Sequence, residues 1–399
     1  MDDRTQAASV WMATTPKTDY AFLSEDLTVD VVVVGAGIAG VSVAYRLKEL
    51  GKRVVLVESG RIVEGSTGKT TAKVSSLHGL IYTTLTKNFT DEGARIYGEA
   101  NEAAIDEIER LIKEHEIDCD FSRLDSYTYA QDESGTAKVR REAEIAERLG
   151  LPAGYTDEVP LPYPTYGAVK FSDQAQFHVR KYLLALAERI DGDGSFVFEN
   201  TKALDISTDG DSPRLMTERG TITATDIVVT THEPFYDPDD DYADLFTFWD
   251  YALGVLITQE APPGEFFSTG SEPHSIRTQT TEDGDIVIIG GKSEAEATAD
   301  SDDDAYDLVE VDYSDKLEIE RVVYKWNTYD LATSDGASYI GQLSKNQAHV
   351  YVATGFNGWG MTNGVVAGML LGDRLTGKEN PWADFFDKFT REKYAKDSR

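Results

Sequence analysis

The chain has 399 residues, 71 acidic and 38 basic, and a formal net charge of −33 at pH 7. That field repels phosphates and anionic lipid, so neither nucleic acid nor a charged membrane surface is an expected partner. A single cysteine, Cys119, excludes an internal disulfide, a cysteine-ligated iron–sulfur cluster and a Cys-rich zinc centre, and no metal site is expected.

The length and the 41% hydrophobic content predict two domains with packed cores. Residues 1–27 read as an irregular lead-in carrying Trp11, Pro16 and Tyr20. They lack the basic and apolar regions of a secretion signal, and no apolar run reaches the ~20 residues of a membrane span, so a cytoplasmic location is expected. Residues 30–34 (D-V-V-V-V) predict a buried strand, 38–50 a helix stopped by Gly51, and 53–57 (R-V-V-L-V) a second buried strand: a βαβ unit with a parallel sheet. Helices are predicted over 91–116, 138–149 and 178–190. An antiparallel meander is predicted at 195–206, 213–218 and 221–230, with strands at 251–259 and 285–290. The acidic runs at 237–244 and 300–304 read as solvated loops. Strand 350–354 enters a glycine-rich turn, and a helix follows over 362–375.

Gly35-Ala36-Gly37-Ile38-Ala39-Gly40 is G-x-G-x-x-G between a strand and a helix, the setting a dinucleotide site needs. Gly35 permits the turn, Gly37 lets the backbone approach a pyrophosphate, and Gly40 lets helix and strand pack closely. Glu58 ends the second strand, where a carboxylate accepts hydrogen bonds from an adenosine ribose; its charge argues against NADP. The chain then departs from an NAD dehydrogenase pattern. Ser59-Gly60-Arg61 leads into Gly65-Ser66-Thr67-Gly68-Lys69-Thr70-Thr71-Ala72-Lys73, a small hydroxyl-rich loop suited to running beside an extended cofactor such as FAD.

With the stretch ending in Ile227-Val228-Val229-Thr230-Thr231 and the late Ala353-Thr354-Gly355 turn, these motifs fall in the order of D-amino-acid-oxidase-type flavoproteins, which the chain resembles from about residue 10 to 390. At residues 65–78 and at Trp359-Gly360-Met361-Thr362-Asn363-Gly364 it is most similar to a subgroup whose members often carry a C-terminal Rieske domain; with one Cys and its end at Arg399, this chain is expected to lack it. The resemblance implies an α/β FAD-binding domain built from residues 28–110, 165–235 and 335–399. It implies a second, α+β substrate domain from 111–164 and 236–334, with an antiparallel sheet over the flavin. Gly35, Ala36, Gly37, Ile38, Ala39 and Gly40 would cradle the pyrophosphate. Glu58, Ser59, Gly60 and Arg61 would hold the adenosine end, with Ala203 at the adenine and Thr230 and Thr231 at the diphosphate. Thr70, Thr71, Ala72, Lys73, Gly358, Trp359, Gly360, Met361 and Thr362 would flank the ribityl chain and isoalloxazine, and Gly65, Ser66, Thr67, Gly355 and Asn357 would also bind the cofactor. Two positions depart from sarcosine oxidases: Ile288 and Ile289 stand where those enzymes place a flavin-facing lysine, and Thr362 where they place a carboxylate-binding lysine.

The implied activity is oxidation of a C–N bond of a small amine or amino acid. Two alternatives stand beside it: a dehydrogenase passing electrons to a quinone or partner protein, and a flavin-binding subunit without its own substrate. Lys73 is either a cation near flavin or substrate, or a surface lysine. His78 is either an acid–base group or structural, and Arg277 either a carboxylate ligand or an ion-pair member. Tyr329 is expected near the substrate. Glu114-His115-Glu116 is a solvated helix face, since consecutive helical side chains diverge. His178 and His232 read as capping or packing groups, and Cys119, between two aspartates, as a poor nucleophile. The charge excess also predicts a halophile's salt-adapted protein. Its melting temperature should rise between about 0.1 and 2 M KCl, as the screening length contracts to a few ångströms; a flat or falling midpoint removes that expectation.

Overall fold

The computed structural model describes residues 5–270, 272–282, 284–293 and 302–396; the acidic run at 300–304 begins outside them. The lead-in is not irregular throughout. Val10–Ala13 forms one helical turn (α1) capped by Ser9, with Trp11 fully buried, and Leu27 already opens a strand. In chain order there follow β1 (Leu27–Val34), α2 (Ile38–Glu49), β2 (Val54–Val57), β3 (Lys73–Val74), α3 (Ile81–Asn88), α4 (Asp91–His115), β4 (Ser122–Ala130), α5 (Glu133–Arg148), β5 (Ala153–Thr156), β6 (Ala168–Gln176) and α6 (Val179–Ile190). The second half contributes β7 (Phe196–Phe198), β8 (Ala203–Ser207), β9 (Arg214–Thr217), β10 (Thr221–Val229), β11 (Phe246–Ile257), β12 (Glu265–Thr269), β13 (His274–Thr281), β14 (Gly284–Ser293), α7 (Asp302–Ser314), β15 (Ile319–Ala332), β16 (Tyr339–Gln342), β17 (Val350–Thr354), α8 (Gly360–Leu375) and α9 (Ala383–Phe386).

Two sheets organise these elements. The first runs β16-β17-β10-β1-β2-β7, parallel except at β16, with β8 and β9 hung antiparallel on β10. Its central β1 is buried on both faces, as its unbroken valine run requires. The segment predicted as one strand at 195–206 is two: β7 joins the parallel edge, and only β8 enters the meander. The break lies at Asn200, in a left-handed conformation (φ 49°), beside the buried carboxylate of Glu199, which accepts from the backbone N–H of Ile62 and Tyr20.

The second sheet runs β15-β11-β14-β13-β12-β4-β6-β3, with β5 beside β6. It is antiparallel as expected except where β4 and β12 pair in parallel. Strand β6 lies in this sheet, although the sequence reading put residues 165–235 with the first; we retain the domain limits only as a proposal. One face packs Tyr251, Leu253, Ile276 and Ile289 against Tyr306, Val309 and Tyr313 of α7. The opposite face, with Ala252, Ile288, Tyr324 and Trp326, joins the core that the FAD-type domain shares. Helix α5 begins five residues before its predicted start, because Asp132 accepts from the N–H of Gly135 at 3.1 Å and caps it. From Asp302 the second acidic run is the first turn of α7, where the helix dipole favours negative charge.

Helices α2 and α8 cross with almost no space between them. A Cβ on Gly364 would meet Ile38 at 2.8 Å, one on Gly368 the carbonyl oxygen of Ser42 at 2.9 Å, and one on Gly372 the flexible Arg46 side chain at 2.5 Å. Gly368→Ala must move backbone, so the overpacking cost of about 1–3 kcal/mol should exceed the ~1 kcal/mol of helix propensity gained, and the melting temperature should fall. Gly372→Ala meets Arg46 at Cγ, near the root of its side chain, so it should also lower the midpoint, but by less than Gly368→Ala because no backbone must move. Equal midpoints for the two variants would contradict this packing.

Candidate functional site

A cavity of about 850 Å³ opens beyond the carboxyl ends of β1, β2, β10 and β17 and extends under the second sheet. Gly35 leaves β1 with φ 98°, and a Cβ there would lie 2.7 Å from the carbonyl oxygen of Thr230. A Cβ on Gly40 would lie 1.8 Å from the oxygen of Gly35, so this glycine keeps helix and strand together and does not itself line the cavity. Gly37 lines it and faces only the Thr67 hydroxyl, at 2.9 Å from where a Cβ would stand. Glu58 closes β2: one carboxylate oxygen accepts from Ala36 N–H and the other from Ser59 Oγ and Gly60 N–H, all at 2.9 Å. A carboxylate offers about four acceptor positions, so one remains for a ligand hydroxyl.

Two helices begin at this cavity without a side-chain cap. Gly37 precedes α2 and Trp359 precedes α8, and neither caps its helix with a side chain, although Thr67 Oγ1 accepts from Ile38 N–H at 3.1 Å. Each end carries partial positive charge and N–H groups with no partner inside the helix. Such a pair fits an extended ligand with anionic or carbonyl groups at two separated points, which is the shape and chemistry of FAD. Gly37, Ile38 and Ala39 line the first end, and Gly358, Gly360 and Met361 the second.

Most of the predicted positions line this cavity: Gly35, Ala36, Glu58, Ser59, Gly65, Ser66, Thr67, Thr70, Thr71, Ala203, Thr230, Thr231, Gly355 and Tyr329 join those just named. Others support it from behind. Asn357, with φ 56°, accepts from Thr333 N–H at 2.9 Å and donates to Gly355 O, bracing the turn. Arg61 does not line the cavity, and its guanidinium lies 3.9 Å from the Glu199 carboxylate. Ala72 and Thr362 are buried, and Gly60 serves through its N–H on Glu58.

The four catalytic candidates separate. Tyr329 lines the cavity, its ring edge-on to His232 at 5.0 Å and tilted against Trp249 at 5.7 Å. Lys73 is half-buried, its Nζ 2.6 Å from Thr71 Oγ1 and 5.4 Å from the centroid of the Trp359 ring. His78 is not brought to the cavity. Its Nε2–H donates to Ser75 O and its Nδ1 accepts from Tyr97 OH, both at 2.6 Å, and its ring stacks on Trp359 at 4.7 Å. Burial pushes its pKa down to about 3, so it stays neutral in any working range and supports Trp359. Arg277, 1% exposed, does not reach the cavity either: it donates to Ala72 O, Phe177 O and Gln279 Oε1. Its Nη groups are taken up by these neighbours while its Nε is buried without a partner, so it is neither a carboxylate ligand at the cavity wall nor a surface ion pair.

Sequence reasoning missed Trp249, Asp250, Asn327, Thr328 and Asp330, which line the cavity from β11 and β15. These two strands are paired, Asp250 opposite Thr328 and Trp249 opposite Tyr329, and it is their consecutive edge residues that reach the cavity, a placement visible only once the pairing is known. His232, read as a packing residue, also lines the wall in a left-handed conformation (φ 71°), 3.7 Å from Asp330. Burial pushes its pKa down to about 4. His178 caps α6, and Cys119 is buried with its thiol pushed up to about 12, first by desolvation and then by Asp120 and Asp118. Among the described residues no His, Cys, Asp or Glu group is arranged to hold a metal ion, and no helix is long and apolar enough to cross a membrane.

Residues 30–374 match the family described as FAD dependent oxidoreductase, DAO. Over 378 residues, 94% of this chain and 74% of the relative, the sequence is 35% identical to the "Putative Rieske 2Fe-2S iron-sulfur protein YhfW" of Bacillus subtilis (strain 168). Glycine oxidase from Geobacillus kaustophilus shares the fold with a TM-score of 0.71 at 17% identity, covering 89% of this chain and 96% of that one. L-amino acid deaminase from Proteus vulgaris, with its specific insertion deleted, gives a TM-score of 0.70 at 18% identity, covering 97% and 99%.

A test of the site separates support from catalysis. His78→Gln should weaken FAD retention three- to tenfold, the worth of one aromatic stacking partner at ~0.5–1.5 kcal/mol. Fluorescence titration with FAD measures it. The pH dependence of binding and turnover from about 5.5 to 8 should keep its shape, because the native imidazole does not titrate there. A pH limb that vanished in the variant would return His78 to acid–base work.

Proposed function

The chain belongs to the DAO family of FAD dependent oxidoreductases, and from that premise we propose that it oxidises the C–N bond of a small amine or amino acid. Bound FAD supplies the two-electron acceptor for the hydride that leaves the substrate carbon. Gly35 to Ala39, Glu58, Thr67 and Thr230 would hold its phosphates and ribose. Thr70, Thr71, Gly358, Gly360 and Met361 would hold the ring portion, with the start of α8 stabilising negative charge there.

The observation that carries the reading is the wall opposite that end. Asp250 and Asp330 line it together with the rings of Trp249 and Tyr329. Carboxylates and aromatic faces together attract a protonated amine. In this role Asp250 orients the nitrogen and takes up the proton that must leave before the C–H bond breaks, while Trp249 and Tyr329 displace water. The product imine then hydrolyses with water to a carbonyl compound, releasing ammonia from a primary amine or the remaining amine from a secondary one.

A second reading concerns the electron acceptor. Ile288 and Ile289 are both fully buried on β14, so these two positions offer no cation to assist reaction with oxygen. Together with the Rieske name borne by the Bacillus subtilis relative, this favours a quinone or a partner protein as acceptor. Peroxide released at the turnover rate would exclude that reading.

Protein loaded with FAD should be bleached anaerobically by at least one compound in a panel of amines and amino acids. Asp250→Asn should slow that bleaching about ten- to a hundredfold, as expected for losing one charge-assisted hydrogen bond of ~1.5–3 kcal/mol. If no member of the panel bleaches the flavin, the C–N reading is wrong. If Asp250→Asn changes nothing, the acidic wall has been assigned the wrong role.

A further inference from the structure

Three charged side chains come together where the second sheet meets the loop that follows β2: Lys73, Glu265 and Arg277. Glu265 and Arg277 are cross-strand neighbours on β12 and β13, each 1% exposed. A buried pair of this kind is weak evidence for stability, since an apolar pair of equal size usually packs as well. Its hydrogen bonds point elsewhere, to the backbone on either side of Lys73. Arg277 Nη1 donates to Ala72 O at 2.7 Å, and Glu265 Oε1 accepts from Val74 N–H at 3.3 Å. The second oxygen of Glu265 accepts from Ser126 Oγ at 2.9 Å, and Arg277 is fixed further by Gln279 Oε1 at 2.7 Å and by the Trp11 ring at 5.1 Å.

Between these two anchors the chain does something costly. Ala72 is fully buried with φ 58°, a left-handed conformation that a Cβ disfavours, and its N–H goes to Thr70 Oγ1 at 3.0 Å. Such strain persists only where the surroundings over-determine it, and it gathers at working sites. Its product here is the direction of Lys73: the ammonium turns to Thr71 Oγ1 and the Trp359 ring, and Thr71 and the glycines flanking Trp359 line the cavity.

We propose that the Glu265–Arg277 pair is a positioning clamp, which holds the kink at Ala72 so that the Lys73 ammonium stands at the ring-binding end of the cavity. The proposal rests on the cavity holding FAD and not on the amine chemistry. The groups that face Lys73 come from three strands and one loop. Desolvation lowers its pKa, Glu265 of β12 and then Asp250 of β11 raise it, and Arg277 of β13 lowers it. His78, on the loop after β3, is neutral. Burial in turn raises the pKa of Glu265, against the pull of Arg277 and Lys73.

The test is a pH titration of the visible spectrum of FAD bound to the full chain, with no substrate present. Wild type should show a transition with its midpoint below the ~10.4 of a free lysine, and Lys73→Met should lack it. Glu265→Gln keeps an acceptor for Val74 but removes the charge, so the midpoint should fall by at least about 0.5. Arg277→Met removes a like charge, so its midpoint should rise. If either variant fails to retain FAD, Ser126→Ala serves: it strips one hydrogen bond from the Glu265 carboxylate and should lower the midpoint by a smaller amount. No transition in wild type, its survival in Lys73→Met, or an unmoved midpoint in both Glu265→Gln and Ser126→Ala would overturn the clamp. Failure of the amine reading looks different: the titration shifts as expected, yet no compound bleaches the flavin.

Discussion

The close crossing of α2 and α8 is the constraint on which the site depends. These helices start from β1 and β17, the two strands that border β10. Each begins without a side-chain cap, and glycines at Gly364 and Gly368 let them approach until backbone nearly touches side chain. Two helix N-termini are thereby aimed into one cavity at the carboxyl edge of a parallel sheet, where α/β folds bind their ligands. Wider packing would leave two separate anion sites of no particular span. Gly35 and Gly40 do the same work on the strand side, one by its left-handed turn and one by the absence of a Cβ. Sterics that would be trivial elsewhere thus fix the spacing between the two helix N-termini that border the cavity.

The second sheet closes the cavity at the expense of burying charge. Arg277 and Arg180, each 1% exposed, are used in the same way: their guanidinium groups donate to carbonyls of loops that have no ladder to join. Arg180 ties Val63 O and Pro16 O together, while Arg277 ties Ala72 O to Phe177 O. Trp11 lies under the Arg277 guanidinium and donates to Thr70 O at 2.7 Å, so the N-terminal segment is a structural part of the wall. A planar group with five N–H donors suits such junctions, because it satisfies several diverging carbonyls at once. The left-handed residues Val63 and Ala72 sit at these tie points, where strain is held by hydrogen bonds that cannot be released singly.

What was legible in the sequence was local. The strand–glycine–helix motif, the carboxylate ending β2 and the hydroxyl-rich loop each fall within a few residues, and their chemistry follows from spacing alone. The helices at 91–116 and 178–190 were legible for the same reason, as apolar periodicity. The second sheet was not, because its meaning lies in pairing over long separations: β3 with β6 and β4 with β12. Arg277 illustrates the difficulty. An arginine on an alternating strand suggests a ligand contact, and nothing nearby in sequence reveals that Ala72 O and Phe177 O accept from its guanidinium. His78 misled in the same way, since Trp359, whose ring stacks on it, lies far along the chain. Asp302 was misread for a different reason, since an acidic run marks a helix start as readily as a loop.

This division between local and distant signals also divides the roles within the site. The cradle is written in backbone: glycines, helix starts and N–H groups that few substitutions could replace. The facing wall is written in side chains at the ends of β11 and β15, where Asp250 pairs with Thr328 and Trp249 with Tyr329. Backbone pairing is indifferent to which side chain a strand end carries, so long as the sheet still packs on α7. The wall can therefore be exchanged without disturbing the cradle, and its residues are those that local sequence signals hide best.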